Sequence, residues 1–273
     1  MSEYLDVGDY DRLIEMEPHV PEMYNKIVHG FLGHKSWYFT RSQYPTVRVR
    51  EHGAGTGKLT HRLTDESFWF NRVEVEAVEI DGKSFGVLQE RMQPFKRIRC
   101  VNADSVRCEH GAQRADAVLS ALVDHHIPDS LKLDYLTGIC ESLSPYGIYI
   151  SGSIFLREYQ SMEDRVDALK EWHQYVIDYG NKNHHLFEKQ EYFDAFVAMQ
   201  EAAAGLGERT GKISTKEYEN LLSLAGFFFS RERIGPWDLN RYGDCELENF
   251  SGIHVYRAWR ADAKEKLERY PRE

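Results

Sequence analysis

Residues 47–60 read VRVREHGAGTGKLT, and this stretch decides the fold. Val47 and Val49 alternate with Arg48 and Arg50, the period of a strand, and Glu51 closes it. Gly53, Gly55 and Gly57 follow at a spacing of two. Glycine here lets the chain turn sharply and lets a ligand approach bare backbone. The helix predicted to follow points free N–H groups at whatever sits over the turn. Spacing separates the turns that use this device. A phosphate-binding loop needs G-x-x-x-x-G-K-[ST], but His52 stands where its first glycine belongs and Leu59 where Ser or Thr belongs. A dinucleotide fingerprint needs G-x-G-x-x-G. Here the third glycine comes one residue early and Lys58 holds its place.

Working outward, 273 residues with 42% hydrophobic side chains suffice for one large α/β domain carrying an insertion, or for two small domains. A net charge of −10 disfavours nucleic acid or an anionic membrane as a partner. The four cysteines, Cys100, Cys108, Cys140 and Cys245, show no C-x-x-C spacing, so free thiols in a reducing cytoplasm are expected. The acidic N-terminus MSEYLDVGDYDR has no apolar run and reads as no signal peptide. No apolar segment approaches the ~20 residues needed to span a bilayer.

Along the chain, apolar residues at helical spacing predict one or two helices over residues 9–30, broken at Pro18 and Pro21. After the glycine turn come helix 58–66, strand 73–80, helix 83–93 and a short strand 97–101. Glu79 and Asp81 close the second strand on one side of an extended chain. Open α/β sheets bind ligands at the carboxyl ends of their strands, where an acid can accept both hydroxyls of a ribose. The segment NADS at 102–105 follows the third strand. Strand 116–122 leads into VDHHIPD, with His125 and His126 adjacent. Helix 130–143, the stop signal SPYG and strand 148–155 come next.

The ordered set Glu51-x-Gly53-x-Gly55-x-Gly57, Glu79, Asp104 and the segment after strand four resembles the class I S-adenosylmethionine-dependent methyltransferases of small-molecule type. The SPYG turn is similar to that family's L-x-P-G-G, with Tyr146 in place of the first Gly. The LLSLAGF run at 221–227 is similar to its L-L-x-x-A-G-F junction. The resemblance covers about residues 47–155 and 214–260. It implies an α/β fold with a Rossmann-like seven-stranded sheet, order 3-2-1-4-5-7-6, flanked by helices, with a helical lid inserted after strand five. It divides the chain into an N-terminal helical cover (1–46), a cofactor-binding core (47–155), a lid over the acceptor site (156–213) and the last two strands of the core (214–273). Strands six and seven are expected at 227–234 and 253–259.

The cofactor implied is S-adenosylmethionine, with S-adenosylhomocysteine as product. The resemblance places Glu51, Gly53, Gly55, Gly57, Glu79, Ile80, Asp104, Ser105, Ser120 and Ala121 around it. Glu79 takes the ribose, and Asp104 accepts from the exocyclic amine of adenine. Asp81 then reads as a solvated acid. His125 and His126 are the candidate general bases, since an imidazole with pKa near 6.5 can take a proton from an acceptor hydroxyl or amine; the alternative is that both only orient the loop. Adjacent residues rarely both ligate one ion and no carboxylate stands at helical ligand spacing to them, so no metal is expected; His184 and His185 supply a second pair that leaves a two-histidine iron or zinc site open as the alternative. The lid region holds helices at about 161–179 and 186–204, rich in aromatics. Tyr24, Trp37, Tyr159, Trp172, His173, Trp237 and Tyr242 are candidates for the acceptor pocket; for Tyr24 and Trp37, which could also touch the cofactor, the alternative is packing on the domain edge, and for the lid aromatics it is the lid's own core or a dimer face.

The expected activity is transfer of a methyl group to N, O or C of a small aromatic or heterocyclic metabolite. An RNA or protein methyltransferase would share the core. Against RNA, no basic stretch interleaved with aromatics is present, and DAVLSA stands where an N-P-P-Y-type tetrad would be sought. A non-catalytic cofactor-binding protein is the third reading. A flat apolar face on the lid would imply a homodimer.

Overall fold

The computed structural model describes residues 7–39, 46–65, 72–107, 114–236 and 250–263. Seven strands, β1 (Val47–His52), β2 (Val73–Glu79), β3 (Ile98–Asn102), β4 (Ala115–Ala121), β5 (Leu143–Phe155), β6 (Phe227–Gly235) and β7 (Gly252–Arg260), form one sheet in the order β3-β2-β1-β4-β5-β7-β6. The first five run parallel, and β7 enters antiparallel between β5 and β6. This is the topology the resemblance implies. β4 is buried along nearly its whole length, as a parallel strand covered on both faces must be. The arginines of β1 do not contradict burial. Arg50 lies opposite Glu76 on β2 and donates to its Oε1 at 2.7 Å. β5 begins earlier than the sequence predicts, because Leu143 pairs with Ala115 across a register irregularity before the regular ladder resumes.

Helices cover both faces. On one lie α2 (Val20–Phe39) and α3 (Lys58–Asp65), and on the other α5 (Asp129–Ser142) and α8 (Thr215–Leu224); α4 (Gly82–Met92) packs beside β2 and β3. α1 (Val7–Met16) precedes α2, and the break between them holds Pro18 and His19, whose φ of 67° is left-handed. The inserted α6 (Met162–Lys182) and α7 (Gln190–Ala204) do not form a separate core. Their Trp172, Val176 and Phe196 share one apolar cluster with Leu13, Met23, Ile27 and Phe31 of the N-terminal helices. Ser214 caps α8, its Oγ accepting from the Glu217 N–H across an S-x-x-E spacing.

α2 lies close on β5 because Gly152 has no side chain. A Cβ there would stand 2.6 Å from Met23 Cγ and 2.8 Å from Ile27 Cδ1, whereas one at Gly33, further along α2, would meet nothing within 4 Å. Gly152→Ala is expected to destabilise by about 1–3 kcal/mol through overpacking, and Gly33→Ala to stabilise by about 0.5–1 kcal/mol through helix propensity. Urea unfolding of the two variants checks both signs.

Candidate functional site

The turn after β1 divides its three glycines by task. All have left-handed φ, at 59° for Gly53, 55° for Gly55 and 86° for Gly57. A Cβ on Gly53 would stand 2.5 Å from Val123 Cγ2, and one on Gly57 2.8 Å from Leu88 Cδ1. These two allow close packing. A Cβ on Gly55 would meet nothing within 4 Å, so this backbone faces open space.

Glu79, at the end of β2, is locked beside it. Its Oε2 accepts the Gly55 N–H and its Oε1 the Asp81 N–H, each at 2.7 Å. The Asn102 side-chain amide donates to the backbone carbonyls of Glu79 and Ile80 at 2.8 and 3.2 Å. Each carboxylate oxygen keeps further acceptor capacity. Ile80 is 63% exposed, an apolar platform next to that fork. Asp81 is the N-cap of α4, accepting from the Ser84 N–H. Asp104 sits after β3 in a turn closed by the Val106 N–H at 2.9 Å, with its side chain 37% exposed; Ser105 follows it in that turn, half-buried.

Glu51 is buried and accepts a hydrogen bond from Thr60 Oγ1. Burial pushes its pKa up to about 8; the Thr60 hydrogen bond lowers it in part, and the nearby Glu79 charge raises it by less. Glu51 is therefore protonated at neutral pH.

The segment after β4 is held from beneath. Leu122 has a left-handed φ of 60°, a strained conformation for leucine, and donates its N–H to Gly152 O at 2.8 Å. Asp124 is buried and accepts from Tyr149 OH at 2.9 Å, Ser151 Oγ at 2.6 Å, Ser120 Oγ at 3.1 Å and Tyr218 OH. Lys132 Nζ caps the carbonyls of Asp124 and Ile127. The Ser120 hydroxyl is thus spent inside the protein, and Ala121 closes the strand after it. His125 Nδ1 pairs with Ser153 Oγ at 2.9 Å, and its ring lies 4.2 Å from that of His126. Burial, then the charges of His126, Lys212 and Lys132, holds the His125 pKa well below the ordinary range. His126 presents a solvent-accessible edge, but the protein around the rest of its ring, with Lys212 and Lys132, lowers it too. Both imidazoles are neutral and weakly basic, unlike the pKa near 6.5 assumed from sequence.

The other pocket candidates fall in different places. Trp172 is fully buried in the cluster shared by α6 and α2, because the insertion packs on the N-terminal helices. Tyr24 is buried, with the Arg62 guanidinium 5.2 Å from its ring centroid. Tyr159 donates to Glu217 between β5 and α8. Trp37 lies on α2, with its side chain outside the described set, and Trp237 and Tyr242 lie outside the described residues, as do Cys108 and Cys245. His173 faces a polar cluster: its Nδ1 lies 2.7 Å from Gln200 Oε1, and Gln200 Nε2 donates to Glu17 Oε1 at 2.6 Å. Lys212 belongs to the same region and was not legible in the sequence; its only local signal is a Gly-Lys pair in the connection between the insertion and α8. A cavity of about 770 Å³ opens elsewhere, among α1, α2 and α3, and no predicted site residue lines it. Its charges are paired with one another, Lys58 with Glu15 and Arg91 with Asp11. Among the described residues no group of three or more His, Cys, Asp or Glu is arranged to hold a metal ion, and no helix is long and apolar enough to cross a membrane.

No family model matches the chain, and no curated protein matches it in sequence. Solved structures do. The plantazolicin methyltransferase BamL, in complex with triazolic desmethylPZN analog and SAH, is similar with a TM-score of 0.59 and 12% identity, over 93% of this chain and 90% of its own. The CurJ carbon methyltransferase is similar with a TM-score of 0.50 and 17% identity, over 81% of this chain. The N-methyltransferase NodS from Bradyrhizobium japonicum WM9 is similar with a TM-score of 0.50 and 11% identity, over 89% of this chain and 97% of its own. The chain spans about half, 51%, of the CurJ chain. At these identities the likeness establishes the fold, the Rossmann-like methyltransferase sheet flanked by helices.

The Glu51 proton has a measurable consequence. In the unfolded chain this carboxyl ionises above 4.5, while in the folded protein it stays protonated to about 8. Stability is then lost as pH rises through that window. Glu51→Gln cannot ionise, so its melting temperature should gain on wild type progressively between those two pH values. Scanning calorimetry across the window checks the trend.

Proposed function

We propose that the protein is an S-adenosylmethionine-dependent methyltransferase acting on N, O or C of a small metabolite. The observation that carries this reading is the Glu79 carboxylate, fixed by the Gly55 and Asp81 N–H groups beside the open face of Gly55. The site fits the cofactor. The free acceptor capacity of Glu79 suits two ribose hydroxyls, exposed Ile80 suits a face of adenine, and Asp104 at the rim suits its exocyclic amine. The open Gly55 backbone allows close approach of the remaining part. Bound there, the cofactor supplies a sulfonium methyl, an electrophile already activated for transfer.

The chain's own residues then align and enclose. The strained segment 122–126, held by Asp124 and Lys132, fixes the wall beside Gly53. We assign residues 156–213 as a lid over the acceptor, with the N-terminal helices α1 and α2 completing the cover, on the basis of the core that Trp172, Val176 and Phe196 share with them. His125 and His126 are too weakly basic to drive deprotonation, so they act by position. A small acceptor, rather than nucleic acid, accords with the net charge of −10. Cys100 and Cys140, both free thiols, support a cytoplasmic setting.

Calorimetric titration with S-adenosylmethionine and S-adenosylhomocysteine tests this. Binding to wild type is expected, with Glu79→Ala weakening it by about 10- to 100-fold, the scale of charge-assisted hydrogen bonds lost. Folded wild type that binds neither compound, or binding indifferent to Glu79→Ala, would overturn the reading.

A further inference from the structure

Lys212 is an unusual residue for the inside of a protein. It is 5% exposed, in the short connection between the insertion and α8. That connection is rigid. Arg165, itself buried on α6, donates to Lys212 O at 3.0 Å and Thr210 O at 2.9 Å, and pairs with Asp129 at 2.5 Å. Gly211 lies against the segment after β4: a Cβ there would stand 2.5 Å from Ile127 O and 2.6 Å from His125 O. Lys212 is therefore held beside the wall that packs on the glycine turn.

Among the described residues, no hydrogen-bond acceptor or salt-bridge partner reaches Lys212 Nζ. A buried ammonium costs several kcal/mol unless something pairs with it. The groups facing it do not. Glu17 is the nearest acid in effect, but burial raises its pKa and its Oε1 already accepts from Gln200. His125, His126 and His173 are neutral, each lowered by burial and by the Lys212 charge. His173 has a second unsatisfied atom. With Nδ1 turned to Gln200 Oε1, its Nε2 is buried and has no partner. A lysine without a hydrogen-bond partner at Nζ among the described residues and an imidazole with a buried, unsatisfied Nε2 thus act on one another where the insertion, the N-terminal helices and the loop after β4 meet.

We propose that Lys212 is the anion-binding residue of the acceptor site, so that the substrate is a small acid presenting a carboxylate or an ionised hydroxyl to its ammonium. This rests on the methyltransferase reading for the word acceptor, and on the cluster alone for the anion. It also accounts for the absence of a strong base among these histidines. An acceptor that arrives ionised, or is ionised beside Lys212, needs no proton removed by them. The methyl-accepting atom then attacks the methyl carbon, the S–C bond breaks, and S-adenosylhomocysteine leaves with the bonding pair on sulfur.

The test is calorimetric titration of the full chain, with and without saturating S-adenosylhomocysteine. The probes are two charged and neutral pairs of matched shape, benzoate with benzamide and 4-nitrophenolate with nitrobenzene. At least one anion should bind at least about tenfold more tightly than its neutral partner. Lys212→Met should abolish the preference and Lys212→Arg should keep it. Benzoate preference alone marks a carboxylate acceptor, nitrophenolate preference alone an ionised hydroxyl. In wild type the benzoate preference should fade as pH rises through about 8, where Lys212 loses its proton, which keeps the test available if Lys212→Met does not fold. No charge preference, or one that survives both Lys212→Met and high pH, overturns the proposal. S-adenosylhomocysteine binding without anion preference would leave the methyltransferase reading standing alone. Anion preference without S-adenosylhomocysteine binding would do the reverse.

Discussion

A single buried carboxylate, Asp124, ties the working edge of this sheet together. It lies under the carboxyl ends of β4 and β5 and receives hydroxyls from Ser120 on β4, Tyr149 and Ser151 on β5, and Tyr218 on α8. An ionised group in that position would be prohibitive alone, and charge-assisted hydrogen bonds offset the desolvation. The geometry of those donors fixes where the chain leaves β4. Leu122 is forced into a left-handed conformation, Val123 is set against Gly53, and His125 is turned toward Ser153.

From that anchor the site acquires two walls of different character. On the β1–β2 side the contacts are backbone to carboxylate, short and local, and they leave a rigid acidic fork beside open glycine backbone. On the β4–β5 side the polar groups come from remote elements and are largely neutral imidazoles around one lysine. The first wall suits a ligand with hydroxyls and an apolar face, and the second suits an anion. The insertion does not float above them. It shares its apolar core with the N-terminal helices through Trp172, Phe196, Leu13 and Met23, so movement of one implies movement of the other.

The glycine turn and Glu79 were legible because their meaning is local. Three glycines at a spacing of two and an acid closing a strand report backbone conformation and strand-end position directly. The sheet order followed from the resemblance those motifs carry. Aromatics in the insertion were ambiguous, because a large ring on a helix reads the same whether it fills a core or lines a pocket. Trp172 proved to be core, and Ser120 turned its hydroxyl inward, for reasons that lie on other elements. The histidine pair was visible, but its basicity was not, since burial and neighbouring cations are properties of the folded environment.

By itself, then, the sequence determined the strand–turn–helix around Val47–His52 and Lys58–Asp65, the acid at Glu79 and the seven-stranded class of fold. Short-range backbone requirements leave a readable trace in residue type. The tertiary structure alone decided the carboxylate anchor at Asp124, the Glu17–Gln200–His173 chain and the isolation of Lys212. Tyr218 is 94 residues from Asp124 and Gln200 is 183 from Glu17. No spacing in a sequence encodes such a meeting; it exists only once long-range packing has excluded water and set what each charge must face.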